Sequence, residues 1–304
     1  MSLVVSSWAR TIFSGQFQLA YQEANNLTND RFAYKYNPGT TSCVDPFISN
    51  RRASHNSSTL TNTSTTETSV TTTVDDILVT KEFVPDYAIN TNGGELPGIY
   101  ARKLGAGLAS TRELILSSFI AKNAVAAGNT QIFDSEDTTG SAIFDACNNA
   151  LVEMRRANIP MSGVTICLDH KRANLLRKYA PYGSRDYTGG ANDNTQLRGP
   201  NLFGAEIIPM NGCFSLDTTV APYSSEIASK YQFDGIGSTS DDTSLLGIVF
   251  HQDAVRLLEL MQPTIEVTPW AVEQAQLVTA RCHFGTSVLR TAGIWAIYGD
   301  ADNT

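Results

Sequence analysis

The sequence predicts an α+β fold, and three stretches carry that prediction. Between Ser141 and Arg156, Ile143, Ala146, Cys147, Ala150, Leu151 and Met154 fall at i, i+3, i+4, i+7, i+8 and i+11, which draws one buried helical face. From Val70 through Val74 and again from Ile77 to Phe83, β-branched and apolar residues alternate with polar ones, the two-residue period of a strand. GVTICL, beginning at Gly163, is a short apolar strand set between two helical segments. Helices and strands therefore mix without a regular β-α-β alternation, which indicates an α+β architecture.

Taken in order, the first element spans Leu3 to Leu27, where Val4, Trp8, Ile12, Leu19 and Leu27 recur at roughly helical spacing. This suits a docking arm or a core helix. Ser or Thr occupies 14 of the 20 positions from Ser54 to Thr73, too polar a run to bury on its own. TSVTTTVDDILVTKEFV follows, and its seventeen residues at about 3.3 Å each would reach roughly 55 Å, so a long hairpin arm is expected to project from the body. Such an arm leaves strand edges and apolar side chains in need of a partner chain.

Ser110-Thr-Arg-Glu113 has the capping-box form and predicts a helix start. Leu116, Ile120, Ala124 and Ala127 form its stripe, flanked by Ile115 and Phe119, and Gly128 stands at the left-handed cap position. The start moves back to about Ile99 if Gly105 and Gly107 lie inside the helix. Beyond Arg156, Asn158-Ile-Pro160 ends the next helix, and Asp169 caps another that carries Leu175, Leu176 and Tyr179. Tyr182 to Asn201 reads as a loop, and Leu245 to Phe250 as a strand. A short helix is expected over Ala254, Leu257, Leu258 and Met261, and two strands between Leu277 and Tyr298 close the chain.

The 304 residues suffice for one large domain or two of about 150. Charged residues make up only 17 % against about 25 % in an average domain, which suits a surface largely covered by other copies of the chain. Lys and Arg number 22 against 30 Asp and Glu, a net charge of −8 that excludes a dedicated nucleic-acid binder and leaves contact through local patches. Cys43, Cys147, Cys167, Cys213 and Cys282 are scattered singly, the pattern of reduced thiols and not of a zinc or disulfide framework. No basic segment precedes an apolar run at the N-terminus, so neither a signal peptide nor a membrane span is expected. Asn26, Asn56 and Asn62 begin Asn-x-Ser/Thr triplets, two of them in the Ser/Thr run where such triplets arise by chance.

Candidate chemistry gives way to structural roles at each position. GAGLAS at Gly105 to Ser110 lacks a preceding strand and a third glycine, so it is not a dinucleotide loop. Cys282 and His283 are neighbours on a strand and point to opposite sides, which rules out a nucleophile and base pair. Asp169-His170 and His251 with Asp253 sit at helix starts, where capping is the simpler role. His55, His170, His251 and His283 show no metal-ligand spacing. Asp134, Glu136, Asp137, Asp241 and Asp242 read as solvated loop carboxylates. No catalytic residue, cofactor site or metal site is assigned, and an enzyme is not expected.

MRRANIPMSGVTICLDHKRANLL from Met154 to Leu176, GPNLFGAEIIPMNG from Gly199 to Gly212, and LGIVFHQDAVRLLELMQ followed by VTARCHFGTSVLRTAGIWAIYG together resemble the major capsid proteins of tailed bacteriophages, which have the Hong Kong 97-type fold. The resemblance rests on the order and spacing of these pieces. It implies an N-terminal arm over 1–40, an extended loop with flanking peripheral-domain strands over 41–95, and a spine helix with peripheral domain over 96–140. An axial domain over 141–245 and closing strands and helix over 246–304 complete the implied plan. The implied function is self-assembly into pentamers and hexamers of an icosahedral head enclosing double-stranded DNA, held by weak non-specific contact. Expected partners are a separate scaffolding protein, since the lead before the shell domain is short, with a portal and a cement protein, and no membrane. Location is expected in the virion, and in the host cytoplasm during assembly. Inter-subunit contacts are expected from Trp8, Ile12 and Phe13 in the arm and from Val70, Thr72, Val74, Ile77, Val79, Lys81 and Phe83 in the strands, with Lys81 placed for a cross-link. A cytosolic enzyme with an unrecognised site and a secreted β-rich binding module are the competing readings.

Overall fold

Two mixed sheets and a long helix packed against both organise the chain. A computed structural model describes residues 7–48, 67–85, 95–134, 140–179, 202, 204–210, 231, 245–270 and 274–300. Four helices lie in them: α1 (Ser7–Ala24), α2 (Glu95–Ala126), α3 (Gly140–Arg156) and α4 (His170–Lys178). The strands are β1 (Ala33–Tyr36), β2 (Ser42–Ile48), β3 (Glu67–Thr73), β4 (Asp76–Pro85), β5 (Thr130–Asp134), β6 (Val164–Asp169), β7 (Glu206–Met210), β8 (Leu245–His251), β9 (Val255–Trp270), β10 (Ala275–Val288) and β11 (Ile294–Asp300).

The first sheet has the order β1-β9-β10-β4, the second β5-β11-β8-β6-β7, and β2 with β3 forms a separate two-stranded hairpin. One core joins α1, α2, the inner face of the first sheet and one face of the second, through Phe17, Leu108, Ile120, Phe250 and Phe284. A smaller core lies on the other face of the second sheet, under α3 and α4. All six residues of the predicted α3 face are buried there. Asp169 caps α4 by accepting from Lys171 N at 3.3 Å, as expected from sequence, and β6 is buried along nearly its whole length.

Gly105 explains how α1 reaches α2. A Cβ there would lie 2.6 Å from the Phe17 carbonyl oxygen, so the two backbones touch where no side chain fits. Gly98, Ala101, Gly105 and Ala109 recur at i, i+3, i+7 and i+11 and make the smooth side of α2. The helix therefore begins well before the capping-box sequence, with Gly105 and Gly107 inside it. Ser110 sits in mid-helix, and Glu113 accepts instead from the backbone N–H groups of Asn26 and Leu27 in the turn after α1. Gly128 adopts φ +72° at the C-terminal end, the expected left-handed cap.

Two expectations are corrected. Residues 68–84 do not all belong to one hairpin arm: β3 pairs with β2, β4 pairs with β10 in the first sheet, and Val74-Asp75 carries the chain from one to the other. The hairpin is thus β2–β3, the residues that join its strands lie outside those described, and β4 already has one partner within the chain. The short helix over Ala254, Leu257, Leu258 and Met261 is also absent. Only Gln252–Ala254 turns, and Val255–Trp270 is a sixteen-residue strand. Leu257, Leu258 and Glu259 are all buried because both faces of β9 are covered at this end. With both faces buried the two-residue period vanishes, and the apolar positions imitate helical spacing. Pro263 would break a helix but is tolerated at the irregularity where β9 and β10 slip register near His283. The loop expected from Tyr182 to Asn201 lies outside the described residues.

Candidate assembly interface

β4 is the outer strand of its sheet, and its side chains alternate. Val84 is buried, whereas Ile77, Val79 and Phe83 are 62, 52 and 42 % exposed. Lys81 lies on this same outward face and is exposed. Register extends the face across the sheet: Phe83 stands opposite Leu277, which stands opposite Thr268, and Val79 stands opposite Arg281. Trp270, 43 % exposed at the end of β9, meets the Phe83 ring edge-on with centroids 6.1 Å apart. Arg281 pairs with Glu266 in the middle. The result is an apolar patch with a charged centre beside a strand edge whose backbone groups have no partner among the described residues. Ile77, Val79, Lys81 and Phe83 were legible from alternation. Trp270, Leu277 and Arg281 were not, because only the β9–β10 pairing brings them alongside.

The other expected contacts divide. Thr72 is fully buried and its hydroxyl hydrogen-bonds the Ser287 hydroxyl, so it anchors the hairpin within its own chain and is not an outward contact. Val70 and Val74 are half-buried. Trp8, Ile12 and Phe13 lie on α1, with side chains outside those described. The same helix buries Phe17, Ala20 and Tyr21 in the main core, so its second half is part of the body.

The base of the hairpin is fixed by specific contacts. Arg256 Nε donates to Asp45 Oδ2 at 2.8 Å, its terminal nitrogen donates to Oδ1, and it also donates to the Ala33 carbonyl at 3.0 Å. Val74 N donates to Thr41 O at 2.7 Å. Gly285 allows the crossing, since a Cβ there would fall 2.0 Å from Thr73 O.

Buried ionisable groups gather elsewhere, at the join of α1, α2 and β9. Arg112 is 1 % exposed and lies 3.4 Å from Glu259, while donating to Tyr21 Oη at 2.7 Å and to Asn29. Tyr34 Oη donates to Glu259 at 2.8 Å. Burial raises the Tyr34 hydroxyl to about 12 and pushes Tyr21 higher still. Burial likewise raises the Cys147 and Cys282 thiols to about 12, far from thiolate reactivity. This network ties the N-terminal segment to the body. His251 Nδ1 accepts from Asp253 N at 3.1 Å, the capping role expected, and Nε2 donates to Ser162 O at 3.0 Å. A cleft of about 750 Å³ between the end of α1, α2, β7 and the start of α4 is spanned by the Arg31–Glu206 pair at 2.7 Å. Among the described residues no group of acidic, His and Cys side chains could hold a metal ion, and no helix is long and apolar enough to cross a membrane.

No protein-family model and no curated protein matches the sequence. Solved structures do match over nearly the whole chain. The capsid of cyanophage P-SCSP1u aligns with TM-score 0.69 and 19 % identity, over 89 % of this chain and 87 % of that one. The mature capsid of bacteriophage PhiM1 aligns with TM-score 0.66 and 13 % identity, over 90 and 86 %. A virus-like particle from Pyrococcus furiosus aligns with TM-score 0.59 and 12 % identity, over 96 and 100 %. The chain thus shares its architecture with phage capsid subunits. Its fold is the Hong Kong 97 type that the ordered sequence patches imply.

Proposed function

We propose that this chain is the major capsid subunit of a tailed bacteriophage, assembling through pentamers and hexamers into an icosahedral head around double-stranded DNA. The single observation that carries the reading, beyond the fold, is the exposed Ile77–Val79–Phe83–Trp270 face on an edge strand, next to a hairpin clamped at its base. Apolar side chains presented on a sheet edge aggregate unless a defined partner covers them. In a shell each heterologous contact is repeated by closure, so a modest patch suffices. The domain limits stated above, the arm contacts of Trp8, Ile12 and Phe13, and the separate scaffolding, portal and cement partners belong to this proposal. So do a purely structural, non-enzymatic role and assembly in the host cytoplasm. The test is size-exclusion chromatography and negative-stain imaging of the full chain. Rings or closed shells support the reading, and a chain that stays monomeric at high concentration overturns it.

A further inference from the structure

Charge is unevenly distributed along this acidic chain. Six of its 22 Lys and Arg residues lie between Arg155 and Lys178, where Asp169 is the one carboxylate. α4, HKRANLLRK, carries five basic side chains and no acid. Ala173 and Leu176 face the core, so Lys171, Asn174 and Lys178 form the outward stripe at i, i+3 and i+7, with His170 and Arg177 beside it, and all five are exposed. Arg172 pairs with Asp169 at 3.1 Å, whereas Lys171, Arg177 and Lys178 have no carboxylate partner among the described residues.

Helix stability does not account for this. Arg177 and Lys178 suit the negative C-terminal end of the helix, but Lys171 sits in the first turn, against the positive end, where the one carboxylate, the N-cap Asp169, is already paired with Arg172. Departures from the local rule of this kind are expected where a surface has another task. A cationic stripe with one amide and no apolar anchor fits a row of phosphates better than it fits a protein pocket.

We infer that the outward face of α4 contacts the phosphate backbone of the double-stranded DNA enclosed by the shell, an inference that rests on the capsid reading. Three cations per subunit bind weakly, repetition over many subunits makes the contact effective, and the acidity of the remaining chain keeps the DNA from being gripped.

The experiment uses the full chain and a mixed-sequence DNA duplex, with binding read by fluorescence anisotropy across a salt titration. Lys171→Gln, Arg177→Gln and Lys178→Gln are combined in one variant. A control with the same charge change combines Lys35→Gln, Arg102→Gln and Lys103→Gln, three exposed cations elsewhere. A third variant, Lys171→Arg with Arg177→Lys and Lys178→Arg, keeps the charge. The first variant should bind about tenfold or more weakly at low salt, with the log–log salt slope shallower by about 2 to 3, while the other two keep the wild-type slope. No binding by the wild-type chain, equal losses in the first two variants, or no loss in the first would overturn the inference. So would a first variant that binds DNA normally but no longer assembles, which would place a neighbouring copy on α4. A wild-type chain that binds as expected but forms no shells would overturn the capsid reading while leaving the α4 contact standing.

Discussion

Two glycines about 3 Å of helix rise apart can have opposite roles, as Gly105 and Gly107 in α2 do. Gly107 is exposed with nothing within 4 Å of a Cβ, so Gly107→Ala should stabilise the chain by up to about 1 kcal/mol through helix propensity. Gly105→Ala gains the same propensity but drives a Cβ into Phe17 O and Tyr21 N, and should cost about 1–3 kcal/mol as α1 is pushed away. Chemical denaturation of the pair measures both signs. Glu113 sets a pH dependence at the same junction. Burial raises its pKa above the usual 4.5, only partly opposed by the N–H groups of Leu27 and Asn26. The folded chain therefore holds this proton more tightly than the unfolded one. Its contribution to stability is fully present below 4.5 and is lost as pH rises through the raised value. Glu113→Gln should remove that part of the slope in denaturation midpoints measured against pH. Ser110 to Glu113 shows what the sequence could mislead about: the motif is sound chemistry for a helix start, but Glu113 serves a different helix's exit.

At the scale of elements, legibility followed burial on one face. α3, α4 and β6 were readable because each shows a single period to a single core. β9 was not, because its first residues are covered on both sides by the main core and the hairpin base. The break between β3 and β4 was invisible for another reason, since alternation continues through Val74 while the partner strand changes. The hairpin itself depends on the Asp45–Arg256 pair, whose side chains are 17 and 18 % exposed. Asp45→Ala should leave the body's thermal transition within about 1–2 kcal/mol of wild type, because Arg256 retains the Ala33 carbonyl. Limited proteolysis, however, should cut between β2 and β3 markedly faster, since the hairpin loses the contact that sets its angle. Unchanged cleavage would show that Thr72–Ser287 and the Gly285 crossing hold it alone.

For the whole molecule, the same side chains must be dispensable to the folded subunit and necessary to the assembly. Ile77 and Val79 meet this condition best, at 62 and 52 % exposed, while Phe83 also gives up its edge-on contact with Trp270. Ile77→Thr, Val79→Thr and Phe83→Thr together keep β-propensity and delete the apolar surface, so the monomer should stay folded with a loss of about 1–3 kcal/mol, much of it from the Phe83–Trp270 pair. In a shell the same three side chains would be covered at every subunit, at roughly 25 cal/mol for each Å² of apolar area buried. Assembly should then require a much higher subunit concentration, read as a shift of the light-scattering onset. Shortening the hairpin by deleting residues 54–66 separates the two halves of the interface, since it spares β3 and the Thr72 anchor. If the strand face is the docking surface and the hairpin tip its reach to the next subunit, the deletion should still give small oligomers but no closed shells. The triple threonine variant should give neither, and shells formed by that variant would show that β4 faces solvent in the finished particle.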